Sequence, residues 1–348
     1  MPPSAMLTFS TGLVMSTVIV MSSHHWLTAW VGLELNTLSI VPIISNPKHP
    51  RATEATMKYF LTQAIASALL LFSGTLNAWQ TGQWDTTQLS NEYACMIMTI
   101  ALTMKLGAAP FHFWLPEVLQ GSTMQASLLI LTWQKIAPIT LLYTTANHLP
   151  TQMMLAIGIL STVVGGLGGL NQTQLRKILA YSSISNLGWT ISAMALAPNT
   201  AILNITIYIL LSTPTMLLLT KTSTKTLKDT TTMWTTNPTA SVLLALLLLS
   251  TGGLPPFTGF LPKLLIMNEL SSQNLTLLGT LMAMASLLNL MYYLRIVYLA
   301  SMTAPPTITT MTMKWRLKQY HPFPTLLLIA TFTTAALLLT PAAPTITI

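Results

Sequence analysis

Four ionisable side chains lie in long apolar stretches of the sequence. Glu34, Lys105, Lys135 and Lys263 each fall near the middle of such a stretch. A charge at the centre of a bilayer costs ~2.5–3.5 kcal/mol on insertion scales. Burial disfavours the charged form of a lysine, whereas a nearby carboxylate favours it. One glutamate and three lysines on separate helices can therefore load, pass on and release a proton, and their types indicate a proton relay under electrostatic control.

A fixed ion pair is the alternative role for these residues. A pair such as Glu34 with Lys105 would only hold two helices together, and it would leave the other two buried lysines unexplained. Ionisable groups inside a membrane are functional by default. We therefore favour the relay over a purely structural pair.

Two of the buried lysines adjoin runs rich in proline and glycine. Residues 107–116 (GAAPFHFWLP) follow Lys105, and residues 252–262 (GGLPPFTGFLP) precede Lys263. A proline cannot donate a hydrogen bond to the carbonyl one turn back, so the sequence predicts discontinuous helices near 105–116 and 252–263. Such helices mark ion pathways in transporters. An ordinary proline kink is the alternative, and the repeated pairing of break and lysine argues against it.

His112 and Cys95 are the remaining candidates for chemistry. His112 lies in the first proline-rich run, where it could pass a proton at physiological pH or serve only packing, and the sequence leaves both roles open. The single Cys95 excludes an intramolecular disulfide, and it excludes an iron–sulfur cluster or structural zinc held by this chain's own thiolates. We expect no metal and no bound cofactor in this chain.

The composition indicates that lipid is the solvent of this chain. Its 348 residues include 15 basic and 7 acidic residues, so 6% are charged, while 52% are apolar and the mean hydropathy is +0.61. Soluble domains carry roughly 25% charged residues. The net charge of +8 is spread singly or in small groups between apolar runs. This pattern lacks the basic patch of a nucleic-acid binder, and we expect no nucleic-acid partner.

The apolar segments predict an all-α polytopic membrane protein. A helix needs ~20 mainly apolar residues to cross the hydrocarbon layer. The predicted water-exposed loops are 80–93, 221–238 and 300–322. About eleven segments meet the requirement: 4–22, 24–44, 56–79, 94–115, 123–145, 149–170, 176–197, 199–220, 240–270, 276–299 and 323–343.

The basic residues predict the orientation of these spans. Every Lys and Arg except the three buried lysines falls at the face that carries the N-terminus, while Asp85 and Glu92 lie in the opposite loops. The positive-inside rule places the N-terminus on the cytoplasm-equivalent side. The basic segment 314–318 could hold an anionic lipid such as cardiolipin, but we favour a topology signal as its sole explanation.

The broken-helix motifs resemble those of the antiporter-like subunits of respiratory complex I. The resemblance rests on residues 105–116, 182–188 (SSISNLG), 253–263 and 30–36 (WVGLELN), and it covers essentially the whole chain. It implies a single membrane domain of residues 1–348 that contains two inverted five-helix repeats. The first span would be 1–22, the two halves 24–170 and 176–300, and the C-terminal span 323–348. Bacterial relatives have three further spans, which would precede Met1.

The resemblance also implies a function and a set of roles. Glu34 would be the acidic residue of the first half-channel, Lys105 and Lys263 the broken-helix lysines, and Lys135 the connecting lysine. The chain would translocate protons beside other membrane-arm subunits in the mitochondrial inner membrane, with its basic loops in the matrix and its C-terminus in the intermembrane space. NADH, FMN, iron–sulfur clusters and ubiquinone would belong to other subunits. A stand-alone cation/proton antiporter and an assembly scaffold are the alternatives.

Overall fold

A computed structural model describes residues 3–46, 48–236 and 238–302 of the chain. The predicted span 323–343, the C-terminal segment 323–348 and the basic segment 314–318 lie outside these residues.

The described part of the chain is almost entirely helical. Two isolated bridges, His25 with Asp85 and Gln174 with Thr226, are its extended pairings. Two 3-10 turns occur at Trp133–Lys135 and Ala146–His148. The α-helices are α1 (Pro3–Met21), α2 (Trp26–Ser45), α3 (Pro50–Thr81), α4 (Glu92–Leu106), α5 (Trp114–Gly121), α6 (Met124–Leu131), α7 (Ile136–Thr145), α8 (Thr151–Leu170), α9 (Leu175–Leu196), α10 (Pro198–Thr222), α11 (Leu227–Thr236), α12 (Pro238–Gly252), α13 (Phe260–Ser272) and α14 (Thr276–Met302).

The helices follow the apolar segments of the sequence. Each of the ten predicted spans before residue 300 contains one helix or a pair separated by a short interruption. Within the described ranges, seven helical segments are long and apolar enough to cross a membrane, and one of them contains both 3-10 turns. They are Ser4–Met21, Trp26–Ser45, Pro50–Thr81, Met124–His148, Thr151–Leu170, Pro198–Thr222 and Thr276–Met302. The coarse prediction of an all-helical membrane chain is confirmed, while the count of eleven spans stays a prediction.

Local sequence explains where several helices begin and end. Asn91 accepts a hydrogen bond from the backbone N–H of Tyr93 at the start of α4, and Thr123 accepts one from that of Ala126 at the start of α6. Such caps satisfy N–H groups that have no partner within the helix. At the other ends, Gly82 and Gly107 stop α3 and α4 in the left-handed conformation, with φ of 73° and 77°. Glycine adopts this conformation without steric cost.

The first compact unit comprises the described residues up to Ser161 together with Thr190–Pro198. Within it, α1 packs on α2, α2 on α3, and α3 on α4 and α5. The contact between α3 and α5 is close at Gly121, where an added Cβ would lie 2.7 Å from the carbonyl oxygen of Arg51. This glycine lets the segment after the first break return tightly onto α3.

The second compact unit comprises Thr162–Trp189 and the described residues from Asn199 onward. Within it, α14 packs on α11, α12 and α13. Helix α11 lies in the segment 221–238, which the sequence led us to expect as a loop. The loops before α9 and α11 pair with each other, since the N–H of Leu175 donates to the carbonyl of Lys225 and that of Leu227 to the carbonyl of Thr173.

Candidate functional site

Lys105 lies in the last turn of α4, directly before the first break. Helix α4 ends at Leu106, and Pro110 has no N–H to donate to the carbonyl of Leu106. The Lys105 side chain is only 6% exposed, and its amine has no hydrogen-bond partner among the described residues. The break therefore presents a buried amine that is not locked into a fixed contact.

Glu34 on α2 is the carboxylate that interacts electrostatically with Lys105. The two charges are close enough to interact electrostatically, yet the ion pairs of the described chain do not include one between them. One carboxylate oxygen of Glu34 is buried without a hydrogen-bond partner, as is the hydroxyl of neighbouring Tyr59. The two groups therefore interact without forming a salt bridge.

Side chains of α3 and α5 support the backbone at the first break. The side-chain amide of Gln63 donates to the carbonyl of Lys105 at 3.4 Å. The indole N–H of Trp114 donates to the carbonyl of Met104 at 3.3 Å, and the ring of Tyr59 packs edge-on against this indole at 5.7 Å between centroids. Carbonyls at the end of a buried helix need such donors. Sequence reasoning missed Gln63 and Tyr59, although both are polar groups on one side of a mainly apolar helix.

Lys135 lies at a third interruption, which the sequence analysis did not predict. The segment 123–145 was expected to be continuous, but α6 and α7 are separated by the 3-10 turn Trp133–Lys135. Pro138 has no N–H to donate to the carbonyl of Gln134, so one hydrogen bond of a continuous α-helix is missing at this point. The Lys135 side chain is 2% exposed. The signal was present, since Pro138 follows Lys135 by three residues.

A pair of amide side chains joins the helix of Glu34 to the turn of Lys135. Asn36 donates to the side-chain oxygen of Gln134 at 3.2 Å, and Gln134 donates back to the side-chain oxygen of Asn36 at 3.2 Å. Through this reciprocal bond, α2 is tied to the interruption between α6 and α7. The first unit thus ties the helix of Glu34 directly to the turn of Lys135, while the end of the Lys105 helix is bonded to α3 through Gln63.

His112 lies in the segment between α4 and α5. Its side chain is buried, its Nδ1 atom is 3.2 Å from the carbonyl oxygen of Pro110, and its ring contacts Phe113 at 4.2 Å between centroids. These contacts suit a residue that stabilises the break. They leave Nε2 available, so both roles considered for His112 stay open.

Lys263 lies in the second unit, in the first turn of α13 directly after the second break. Its amine donates to the carbonyl oxygen of Gly252 at 2.8 Å. Pro256 frees this carbonyl because it has no N–H. The side chain is 8% exposed. Pro262 likewise has no N–H for the carbonyl of Thr258, but the N–H of Leu261 donates to this carbonyl at 3.3 Å in a 3-10 geometry.

Three charged side chains outside these sites form a surface cluster. Lys58 on α3 pairs with Glu54 one turn earlier and, at 2.6 Å, with Glu117 on α5. All three side chains are largely exposed. In the described ranges, no group of three or more His, Cys, Asp or Glu residues could hold a metal ion.

Apolar helices that are interrupted beside buried lysines, with a half-buried glutamate near one of them, define the class of antiporter-like membrane proteins. The chain belongs to the NADH:quinone oxidoreductase/Mrp antiporter family, whose model matches residues 23–289. Residues 290–343 match the model of the C-terminus of NADH dehydrogenase subunit 2.

Individual relatives agree with this family. NADH-ubiquinone oxidoreductase chain 2 of Xenopus laevis is 50% identical over 325 residues, which cover 92% of this chain and 94% of that protein. A chain of respiratory complex I from Thermus thermophilus is 25% identical, with a TM-score of 0.84 over 98% of this chain and 79% of that chain. A chain of the Mrp complex from Dietzia sp. shares the fold, with 17% identity and a TM-score of 0.76 over 85% of this chain and 60% of that chain.

Proposed function

We propose that this chain is a proton-translocating, antiporter-like membrane subunit of NADH:ubiquinone oxidoreductase, respiratory complex I. The observation that carries the proposal is the buried amine of Lys105, which lies at a helix break, interacts with Glu34 and forms no ion pair with it. The identity to chains named NADH-ubiquinone oxidoreductase chain 2 supports the assignment to this enzyme.

In this role the chain would belong to an enzyme without performing its redox chemistry. NADH, FMN, the iron–sulfur clusters and ubiquinone would be bound by other subunits. The energy released by NADH oxidation and quinone reduction would reach this chain as a change in electrostatics or hydration. Its partners would be the other membrane-arm subunits and membrane lipid. The multi-subunit nature of the matching Thermus thermophilus complex supports such partners.

We propose that Glu34 sets the proton affinity of Lys105. A charged amine in an apolar environment is stabilised by a nearby carboxylate and destabilised when that carboxylate moves away or is neutralised. Because the two groups interact without direct contact, their separation can change without breaking a salt bridge. A small movement of α2 would therefore load or release a proton at Lys105.

The proton would next pass to Lys135 and then towards Lys263. Water and His112 would assist the first transfer. A proton passes between two separated lysines only through groups that can both accept a proton and donate one. The hydrogen-bonded pair of Asn36 and Gln134 would keep the helix of Glu34 and the turn of Lys135 in register. The proton would then be released either from this chain or from a neighbouring subunit.

We further propose the topology that the sequence predicts. It has eleven spans in one membrane domain, with inverted halves at 24–170 and 176–300 between the spans 1–22 and 323–348. The N-terminus and basic loops would face the matrix of a mitochondrion, and the C-terminus the intermembrane space. Two variants, Gln83→Cys and Ser223→Cys, are each made in a chain that carries Cys95→Ser. Their single cysteines should be labelled from opposite sides of the inner membrane. Labelling of both from one side would refute this topology.

The decisive test of the function is the Lys105→Ala variant in the intact complex. We expect normal assembly and a loss of coupled NADH:ubiquinone turnover, because the proton-carrying amine is gone. Lys228→Ala is the matched control, since Lys228 is an exposed lysine on α11 and should be dispensable. Full coupled turnover in an assembled Lys105→Ala complex would refute the assignment.

A stand-alone cation/proton antiporter is the second candidate function. The description of the matching family, which includes Mrp antiporters, is the observation in its favour. The isolated chain in vesicles would then build a pH gradient when sodium is supplied. We expect no such gradient, and its appearance would favour the antiporter.

A further inference from the structure

The second unit contains three buried tyrosines that the proposed relay does not use. Tyr292 and Tyr293 are adjacent on α14, and Tyr208 lies on α10. All three side chains are at most 6% exposed, and the rings of Tyr292 and Tyr293 meet edge to face at 4.7 Å between centroids. Tyrosines that serve only to pack their rings in the core do not need neighbouring hydroxyls, so the grouping of these three side chains suggests a role for the hydroxyls.

The tyrosine hydroxyls are surrounded by hydroxyls of other helices. Tyr293 lies beside Ser182 and Thr251, and Tyr292 lies beside Ser185. Tyr208 also adjoins this group, through Ser183 and Ser212. We call the set of Tyr208, Tyr292, Tyr293, Ser182, Ser183, Ser185 and Thr251 the hydroxyl cluster.

One end of the hydroxyl cluster lies next to the hydrogen bond between Lys263 and Gly252. A Cβ added to Gly252 would lie 3.4 Å from the ring of Tyr293, and the carbonyl of Gly252 accepts the hydrogen bond from the Lys263 amine. Thr251, which lies beside Tyr293, is the residue before Gly252. The cluster is therefore next to the ionisable group of the second break.

The other end of the cluster lies near the C-terminal end of α8. The ring of Tyr292 packs against Gly169, where an added Cβ would lie 2.7 Å from it. One turn further, the exposed Arg295 donates to the carbonyl of Leu170 at 3.1 Å. A helix rises ~1.5 Å per residue, so three residues separate Tyr292 from Arg295 by roughly 4.5 Å along α14. Tyr292 thus lies one turn from the charged side chain of Arg295, which bonds the C-terminal end of α8.

One polar atom beside this cluster lacks a partner in the described chain. The side-chain oxygen of Asn289, one turn before Tyr292 on the same face of α14, is buried without a hydrogen bond. Buried polar atoms are normally satisfied by protein or ordered water. An unused hydrogen-bonding position of this kind suits a group that bonds to water and exchanges partners.

We propose that Tyr292 and Tyr293 carry protons between the Arg295 end of the second unit and Lys263. Each hydroxyl would accept a proton on its oxygen while it gives its own proton to the next acceptor, so no tyrosine is left charged. The neutral amine of Lys263 takes up the last proton and becomes an ammonium group. This inference rests on the proposed function, and it adds a route that serves the second break.

The test compares three tyrosine-to-phenylalanine variants of α14 in the intact complex. Tyr292→Phe and Tyr293→Phe remove hydroxyls of the cluster, while Tyr298→Phe removes an exposed hydroxyl (60%) from the same helix. We expect coupled turnover to fall on the order of tenfold in the Tyr292→Phe/Tyr293→Phe double variant, since positioned proton donors speed transfer by ~10²–10⁴ and water replaces them only in part. Tyr298→Phe should have no effect.

The pH profile separates proton transfer from a packing role. In sealed vesicles, the loss in the double variant should grow as the pH rises on the side that Arg295 faces, because proton uptake becomes limiting. A packing defect would lower turnover equally at every pH and overturn the proposal. If the double variant fails to assemble, Thr251→Val and Ser182→Ala remove cluster hydroxyls with little change of volume and carry the same expectation.

A Lys263→Ala variant separates this inference from the proposed function. If Lys263→Ala lowers coupled turnover but the hydroxyl variants match Tyr298→Phe at every pH, the tyrosine route is wrong and the function stands. If neither the lysine variant nor the hydroxyl variants change turnover or pumping, both the relay role of Lys263 and the tyrosine route are wrong.

Discussion

The amine of Lys263 donates a hydrogen bond of 2.8 Å to the carbonyl oxygen of Gly252 across the second helix break. The carbonyl is available because Pro256 has no N–H to offer it. Gly253 holds the backbone in the left-handed conformation, with a φ of 82°. The proline-rich sequence therefore does more than interrupt a helix, since it creates the acceptor that holds the lysine.

The first prediction concerns the close approach of Gly253 to this lysine. A Cβ at Gly253 would lie 2.8 Å from the Lys263 amine, so Gly253→Ala should displace the amine and lower coupled turnover. Gly82→Ala is the matched control, because Gly82 has a φ of 73° and nothing within 4 Å of an added Cβ. Both variants should bear a similar backbone strain of ~1–2 kcal/mol. Equal turnover in the two variants would show that the position of the Lys263 amine does not affect coupled turnover.

The second prediction concerns the reciprocal bond between Asn36 and Gln134. Asn36→Leu or Gln134→Leu leaves one amide unpaired and should cost ~1–3 kcal/mol of stability. The double variant should cost less than the sum of the two, with a coupling of ~0.5–3 kcal/mol as expected for residues in contact. Thermal unfolding of the assembled complex measures the cycle. Additive losses would mean that the bond does not couple α2 to the turn of Lys135.

The third prediction concerns Pro138 and the interruption at Lys135. Pro138→Ala restores an N–H that can donate to the carbonyl of Gln134, so α6 and α7 should join and the direction of the Lys135 side chain should change. We expect slower amide exchange around residue 138 and reduced coupled turnover. Pro214→Ala, a proline inside the continuous helix α10, serves as the control. An unchanged exchange pattern would show that Pro138 does not cause the turn.

The fourth prediction concerns Asp229 at the start of α11. The backbone N–H groups of Lys225 and Thr226 both donate to its carboxylate at 2.8 Å, and they hold the pKa of Asp229 below its usual value. A lowered pKa means that the capping contribution is present above the unfolded value of ~3.9 and is lost as the pH falls through the folded value.

Amide exchange of Lys225 and Thr226 measures this effect. Exchange corrected for its intrinsic pH dependence should be slow above pH ~4 and should accelerate below it. Asp229→Asn keeps an acceptor oxygen without the titration, so it should remove the pH step. A step of the same size in that variant would exclude Asp229 as its cause.

The sequence predicted those features that depend on nearby residues. Prolines and glycines located the breaks beside Lys105 and Lys263, and apolar run lengths located the helices. Two local signals were overlooked, namely Pro138 after Lys135 and the capping box formed by Thr226 and Asp229, in which each residue bonds to the backbone N–H of the other. These two signals account for the turn at Lys135 and for α11.

Other features could not be predicted because they join distant parts of the chain. Gln63 meets the carbonyl of Lys105 across 42 residues, and Asn36 meets Gln134 across 98. Which polar side chains on apolar helices face one another depends on how the helices rotate and pack. The same applies to the hydroxyl cluster, whose members come from four helices.

The most direct test of the relay is proton pumping by a complex whose three buried lysines are neutralised together. Lys105→Met, Lys135→Met and Lys263→Met in one chain keep the length of each side chain and remove its charge. In sealed vesicles, our account predicts an assembled complex in which coupled turnover is lost or fewer protons move per NADH oxidised. Unchanged turnover and an unchanged number of protons per NADH would contradict the relay and make this chain an assembly scaffold.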